Sequence, residues 1–217
     1  WKSQYNMGNY FLGKGDYRAA LQAYEAASRL DPHAAPPYVN SSLAYSKLHD
    51  VAKAEAALNK ALQVDPENAS ALFNLGLLKA GQGDAKMAEE DLRAALNKDP
   101  TMSAAAYNLS LILAKESPKE AIAWGRKAYQ MQPENRYGYS LATLMKQDGH
   151  WDDAIEVLKQ VIGSDQTFID AYLLLGDIYD MRGKKSEAEA VYRQGLLVEG
   201  LSGKDKLRLE KKLNSLH

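Results

Sequence analysis

Four prolines, Pro32, Pro66, Pro100 and Pro133, recur at intervals of 34, 34 and 33 residues. Each closes a similar phrase: Leu30-Asp31-Pro32, Val64-Asp65-Pro66, Lys98-Asp99-Pro100 and Met131-Gln132-Pro133. Proline lacks the amide hydrogen that an interior helical turn needs, so each phrase marks a helix end. A period of this length is the mark of stacked helix pairs. One pair cannot bury its apolar stripe alone, so each shares it with its neighbours, and the array grows along one direction. Such a chain offers a long surface more readily than a closed catalytic pocket.

The register divides the chain, read as one domain over 1–217, into repeats 1–34, 35–68, 69–102, 103–134, 135–168 and 169–202, with a capping helix at 203–217. Small residues recur where two helices must approach: Gly8, Gly76 and Gly176 in first helices, and Ala20, Ala54, Ala88, Ala121, Ala154 and Ala188 in second helices. Larger ones fill the groove beside them: Tyr24, Leu58, Leu92, Leu158 and Tyr192. Met7 and Phe11 are expected on the inward face of the first helix, and Leu207, Leu213 and Leu216 on that of the last. The fourth repeat is about two residues short, which predicts altered stacking there, with Trp124, Tyr129, Tyr137 and Tyr139 nearby. No strand-type alternation interrupts the helical pattern.

The formal net charge is −1 and cysteine is absent. The charge gives no global attraction to nucleic acid, and the missing thiols exclude disulfides, zinc–thiolate sites and cysteine nucleophiles. No apolar run approaches the ~18 residues of a membrane span, so no direct membrane insertion is expected. His33, His49 and His150 fall in expected turns and His217 is terminal, without metal-ligand spacing. No catalytic constellation, metal site or cofactor motif emerges, and the expectation is a non-enzyme. Lys204, Lys206, Arg208, Lys211 and Lys212 are diluted by Asp205 and Glu210 and read as a solvated cap. The chain opens on Trp1 inside what reads as a repeat helix, so it reads as a fragment of a longer protein.

The phrase of Leu-Gly, an aromatic, Gly-Asp-Tyr, then Ala, aromatic, Ala and Pro, clearest in repeats one, three and six, resembles the tetratricopeptide repeat family. Departures are Ser42 and Ser110 in the Gly8 slot, Gly125 in the Tyr24 slot, and Gln166 for the closing proline. The resemblance implies an all-α, right-handed superhelical solenoid of antiparallel helix pairs. Its first helices would line a concave groove that binds a peptide or partner protein. A well-known subtype clamps C-terminal carboxylates; Asn9 and Asn40 match two of its asparagines, but Tyr5, Ser70 and Asn74 occupy its basic slots, so that clamp is not assembled.

The resemblance places Asn6, Asn40, Asn74 and Asn108 on the concave face. An amide offers both a donor and an acceptor to a ligand's backbone. Packed helices lie roughly 8–10 Å apart and an extended chain advances about 3.3 Å per residue, so each asparagine would meet about every third ligand residue. Two neighbouring slots carry Tyr5, Val39, Phe73, Tyr107, Tyr139 and Leu173, and Asn9, Leu43, Leu77, Leu111, Thr143 and Asp177. Val39 with Leu43, Phe73 with Leu77 and Tyr107 with Leu111 suggest an apolar centre for hydrophobic anchors, with packing between repeats as the competing role. Arg136 and Lys146 would point inward at the fifth repeat. Asp170, Asp177 and Asp180 would share the inner face of the sixth, to receive a basic segment or to stand as solvated charge. Peptide or protein partners, self-association into a homo-oligomer, and service as an accessory module of a larger enzyme or envelope protein all stay open on the residues alone.

Overall fold

The computed structural model describes residues 1–216, among which thirteen α-helices and no strand are found. In chain order they are α1 (Lys2–Gly13), α2 (Tyr17–Leu30), α3 (Ala35–Lys47), α4 (Val51–Val64), α5 (Ala69–Gly81), α6 (Ala85–Lys98), α7 (Ser103–Leu113), α8 (Pro118–Met131), α9 (Asn135–Gln147), α10 (Trp151–Ser164), α11 (Ile169–Met181), α12 (Lys185–Leu196) and α13 (Gly203–Asn214). They fall into two compact units, Trp1–Ile112 and Leu113–His217. The division lies inside the fourth repeat.

In the first unit α1/α2, α3/α4 and α5/α6 form hairpins. Each tight turn holds one residue in the left-handed region: Gly15 (φ 79°), His49 (φ 60°) and Gly83 (φ 83°). Glycine meets no Cβ clash there, whereas a histidine does. An aspartate follows each and caps the second helix: Asp16, Asp50 and Asp84 accept from the amides of Ala19, Lys53 and Met87 at 3.1–3.2 Å. That satisfies one otherwise orphaned donor per helix.

Four second helices, α2, α4, α6 and α10, end on an aspartate whose Oδ1 accepts from the amide two residues on. Asp31 receives His33, Asp65 receives Glu67, Asp99 receives Thr101 and Asp165 receives Thr167. This local turn survives where Gln166 replaces proline, because the aspartate, not the ring, supplies the acceptor.

The packing follows the size complementarity seen in the sequence. Ala20, Ala54, Ala88, Ala121, Ala154 and Ala188 are fully buried, as are Tyr24 and Leu92. A Cβ added to Gly8 would stand 2.3 Å from the Tyr24 ring, and one added to Gly176 would stand 2.2 Å from that of Tyr192. Ser42 and Ser110, in the slot of Gly8, are buried, their hydroxyls donating to the carbonyls of Val39 (2.6 Å) and Tyr107 (2.7 Å).

The second unit has a continuous apolar core through α9–α13, including Leu141, Met145, Leu158, Val161, Tyr172, Ile178 and Tyr192. It pairs α9 with α10 and α11 with α12, and α13 packs on α12. The positive-φ turn recurs at Gly149 and Gly183. The short connection into α8 has no such residue and puts Pro118 in the first helical turn, where its missing amide hydrogen costs nothing. Two inward expectations need correction. Met7 is 47% exposed, and Leu207 is 66% exposed while Leu209 is fully buried. The inward face of α13 is Leu209 with Leu213, spaced i, i+4, and Leu216, just past the helix end, is buried as well; Leu207 lies about 200° around from Leu209.

Candidate functional site

In the first unit the sequence-predicted asparagines share a helix face but not a state. Asn40 donates one amide hydrogen to the Tyr5 hydroxyl (3.1 Å) and the other to Asn9 Oδ1 (2.7 Å). Tyr24 donates to the same Asn9 oxygen at 2.8 Å. Burial, with the Asn40 amide opposing and Tyr5 adding, pushes the Tyr24 hydroxyl up to about 12. It stays a neutral donor at any physiological pH. With both hydrogens engaged, Asn40 has only its carbonyl oxygen left for a ligand. Asn108 turns one hydrogen back to the Ala104 carbonyl in its own helix (2.8 Å). Asn6 is exposed. Asn74 is half-buried, and its amide has no hydrogen-bond partner among the described residues.

The two apolar slots also separate. Val39 is 6% exposed and packs with Leu58, Ala61, Ala71 and Leu75, so it belongs to the core. Phe73 and Tyr107 are half-buried. Leu43, Leu77 and Leu111 stand out at 37%, 36% and 43% exposure. They form a stripe at 34-residue spacing on consecutive first helices. A cleft of about 310 Å³ opens between α3 and α5, with Leu43 and Leu77 on its walls, Leu58 among its lining and Asn74 beside it. It joins an almost wholly apolar surface to the half-buried Asn74 amide.

In the second unit Tyr192 donates to Asp177 Oδ1 at 2.7 Å, the counterpart of Tyr24 on Asn9. Burial first, then the Asp177 bond, holds the Tyr192 hydroxyl far above the usual tyrosine range. Lys212 reaches the same Asp177 oxygen at 2.8 Å, and Arg208 reaches Asp170 at 2.6 Å. The basic segment foreseen for this acidic face is thus supplied by the chain's own α13. Tyr139 is half-buried, edge-on to Phe168 at 5.8 Å, and its hydroxyl is raised chiefly by burial. Arg136 is held by Glu134 (2.7 Å) and by the Tyr137 hydroxyl (3.1 Å).

Sequence reasoning missed the role of α13. The signal was present: extending the 34-residue register from Leu174 and Asp177 lands on Arg208 and Lys211. The Tyr5–Asn9–Tyr24–Asn40 network carried no signal of its own, since spacing assigns a face and not a partner. No group of acidic and histidine side chains suited to a metal ion occurs among the described residues, and none of their helices is long and apolar enough to cross a membrane.

Two family profiles, both of the tetratricopeptide repeat, match this chain, one over residues 11–75 and 145–200 and the other over 76–136. No curated protein matches it by sequence. Among solved structures it is similar to YrrB, a tetratricopeptide repeat protein with an unusual peptide-binding site, at TM-score 0.72 and 21% identity, covering 88% of this chain and 99% of that one. It is also similar to PilF of Pseudomonas aeruginosa, at TM-score 0.78 and 18% identity over 97% and 96% of the two chains. A tetratricopeptide repeat protein from Parabacteroides merdae gives 0.70 at 20% identity over 99% and 85%. At these identities the likeness is one of fold.

Proposed function

We propose, from the premise that the chain belongs to the tetratricopeptide repeat family, that it is a non-catalytic protein-interaction scaffold holding an extended segment of a partner along the first helices of its N-terminal unit. The observation that carries the reading is the exposed stripe of Leu43, Leu77 and Leu111. Large apolar side chains repeated in register on one face mark a contact surface when they are not packed against the fold. Helices roughly 8–10 Å apart and a strand rise of about 3.3 Å match the stripe to an apolar side chain at about every third ligand residue. Asn74, with donor and acceptor both unengaged, supplies the contact to the ligand's backbone, and the half-buried Phe73 and Tyr107 flank it. Asn40 contributes at most an acceptor, and Val39 supports the face from beneath. A scaffold of this kind reads shape and spacing more than sequence.

Random peptides displayed on phage and selected on the full chain test the reading. At ~25 cal/mol per Å² of apolar surface, each partly exposed leucine contributes about 1 kcal/mol on burial. Replacing Leu43, Leu77 and Leu111 together by serine should weaken selected peptides by roughly 100-fold. Asn74→Ala should weaken them by a smaller factor. If every selected peptide binds the triple variant as tightly as the wild type, the stripe is not the contact surface.

A further inference from the structure

We propose that Asp91 is a proton-operated switch on the tie between the second and third repeats: ionised, it competes with Glu55 for the Lys79 ammonium, and protonated, it leaves Lys79 wholly to Glu55. The repeat register gives the first observation. Three residues after the buried alanine of each second helix stand Ala23, Ala57, Asp91, Trp124, Val157 and Val191. Three residues after the small residue of each first helix stand Phe11, Tyr45, Lys79, Leu113, Met145 and Tyr179. The third repeat alone puts a charge in either slot. It puts one in both, of opposite sign.

The two charges are nevertheless not bonded to each other. Lys79 on α5 reaches across to Glu55 of α4 at 2.6 Å, and its side chain is only 13% exposed. Asp91 on α6 is half-buried, and its Oδ2 is buried with no hydrogen-bond partner. An unmatched buried carboxylate oxygen is costly and calls for a reason. The lysine is close by. A Cβ at Gly76 would stand 3.3 Å from Asp91 Cβ, and Lys79 lies one turn after Gly76 on the same face of α5. One ammonium on a flexible stem thus stands between a carboxylate of its own hairpin and one of the preceding repeat. Burial raises the Asp91 carboxyl above the ordinary aspartate range, Lys79 opposes this, and Glu90 and Glu55 add to it. Asp84 also acts on Lys79, but its carboxylate caps the start of α6. Arg93 on α6 is held by Glu89, and α7 carries no charged residue. Among the described residues Lys79 is therefore the cation that acts on Asp91. Because the folded value is raised, the penalty of the ionised form is absent below the ordinary range and complete above the folded value. Falling pH thus stabilises this repeat through Asp91, opposite in sign to a carboxylate held by hydrogen bonds. Helices α4 and α5 also wall the cleft of Leu43 and Leu77, so the tie bears on that surface, but its test needs no ligand.

Carbon-13 NMR of the side-chain carboxyls in the full chain tests this, with Asp91→Asn to assign the signal. Asp91 should titrate above the ordinary aspartate range. Glu55→Gln should move its midpoint down, because Lys79 is then free to serve it, and Lys79→Met should move it up. The Lys79 Nζ resonance should shift with the Asp91 midpoint in the wild type, and stay level through that range in Asp91→Asn. In urea, the wild-type midpoint should rise relative to that of Asp91→Asn as pH falls through the Asp91 value. The two amide exchanges keep the side-chain volume, and methionine suits a slot that the fully buried Met145 fills in repeat five, so folding is preserved. The proposal is overturned if Asp91 titrates within or below the ordinary range, if Glu55→Gln leaves its midpoint in place, or if the Lys79 resonance ignores it. A stability difference between wild type and Asp91→Asn that is the same at every pH would mark a merely structural carboxylate, and overturns it too.

Discussion

Replacing Gly176 by alanine should destabilise the protein although alanine is the better helix former. The new Cβ would stand 2.2 Å from Tyr192 Cε1 and 2.5 Å from Cζ, where carbon pairs rest at about 3.5–4.0 Å. The ring would have to retreat by more than an ångström. It is 1% exposed, and its hydroxyl is tied to Asp177 at 2.7 Å, so it has nowhere to go without breaking that bond. Overpacking of this kind costs about 1–3 kcal/mol, and the helix gain of alanine over glycine returns up to about 1 kcal/mol. The net expectation is a loss of about 1–2 kcal/mol. Gly81→Ala is the control: its Cβ would meet nothing within 4 Å, so only the helix gain remains and stability should rise. Repeat five already shows the relaxed combination, with Ala142 and Leu158 both fully buried. On a Tyr192→Leu background Gly176→Ala should therefore become neutral or stabilising, a coupling of about 2 kcal/mol in the cycle. Urea unfolding followed by far-ultraviolet circular dichroism reads all four corners. If Gly176→Ala costs the same in both backgrounds, the ring does not set the glycine requirement.

Three further outcomes follow from the turns. His49→Gly should stabilise by up to about 1 kcal/mol, because a left-handed non-glycine residue carries about 1–2 kcal/mol of strain, part of which glycine's freer unfolded chain offsets; a lower urea midpoint would refute this. Gln166→Pro should stabilise by about 0.4–1 kcal/mol by restricting the unfolded chain, provided the turn held by Asp165 already has the geometry of the proline-bearing ones; a drop in thermal midpoint would show that it does not. The carboxyls of Asp99 and Asp165 are held below the ordinary aspartate range, first by the hydroxyls of Thr101 and Thr167 and then by their amides. A depressed folded value means that their contribution is complete above the ordinary aspartate range and is lost as pH falls through the folded value. The urea midpoint should thus fall steepest in acid below that range, and less so in Asp99→Asn/Asp165→Asn; an unchanged acid slope would refute it.

The helical hairpins and their packing partners were legible because each depends on residues close in sequence or one period apart. Asp16, Asp50 and Asp84 sit where a capping aspartate must sit, and the pairing of Gly8 with Tyr24 or Gly176 with Tyr192 is a matter of volume. The candidate site was less legible. Asn40 and Asn74 occupy the same slot, yet one is engaged by Tyr5 and Asn9 and the other is not. Val39 and Phe73 differ likewise, the first buried and the second half-buried. Periodicity reports which way a side chain points, and its neighbours decide whether it is available. The acidic face of repeat six was only half legible for a related reason: charges were counted along α11 without those that α13 brings beside it.

The matching of a small residue on a first helix to a ring or leucine on the second is internal to each repeat. Tyr24 answers Gly8, Leu92 answers Gly76 and Tyr192 answers Gly176, always across one hairpin. A repeat therefore carries both halves of its own lock and key. Duplicating or deleting a whole hairpin keeps every such match, whereas exchanging a single helix between repeats one and five would drive the Ala142 methyl into a tyrosine ring. The natural cut points for recombining this chain are thus the aspartate turns between hairpins, and the unit of change is the pair.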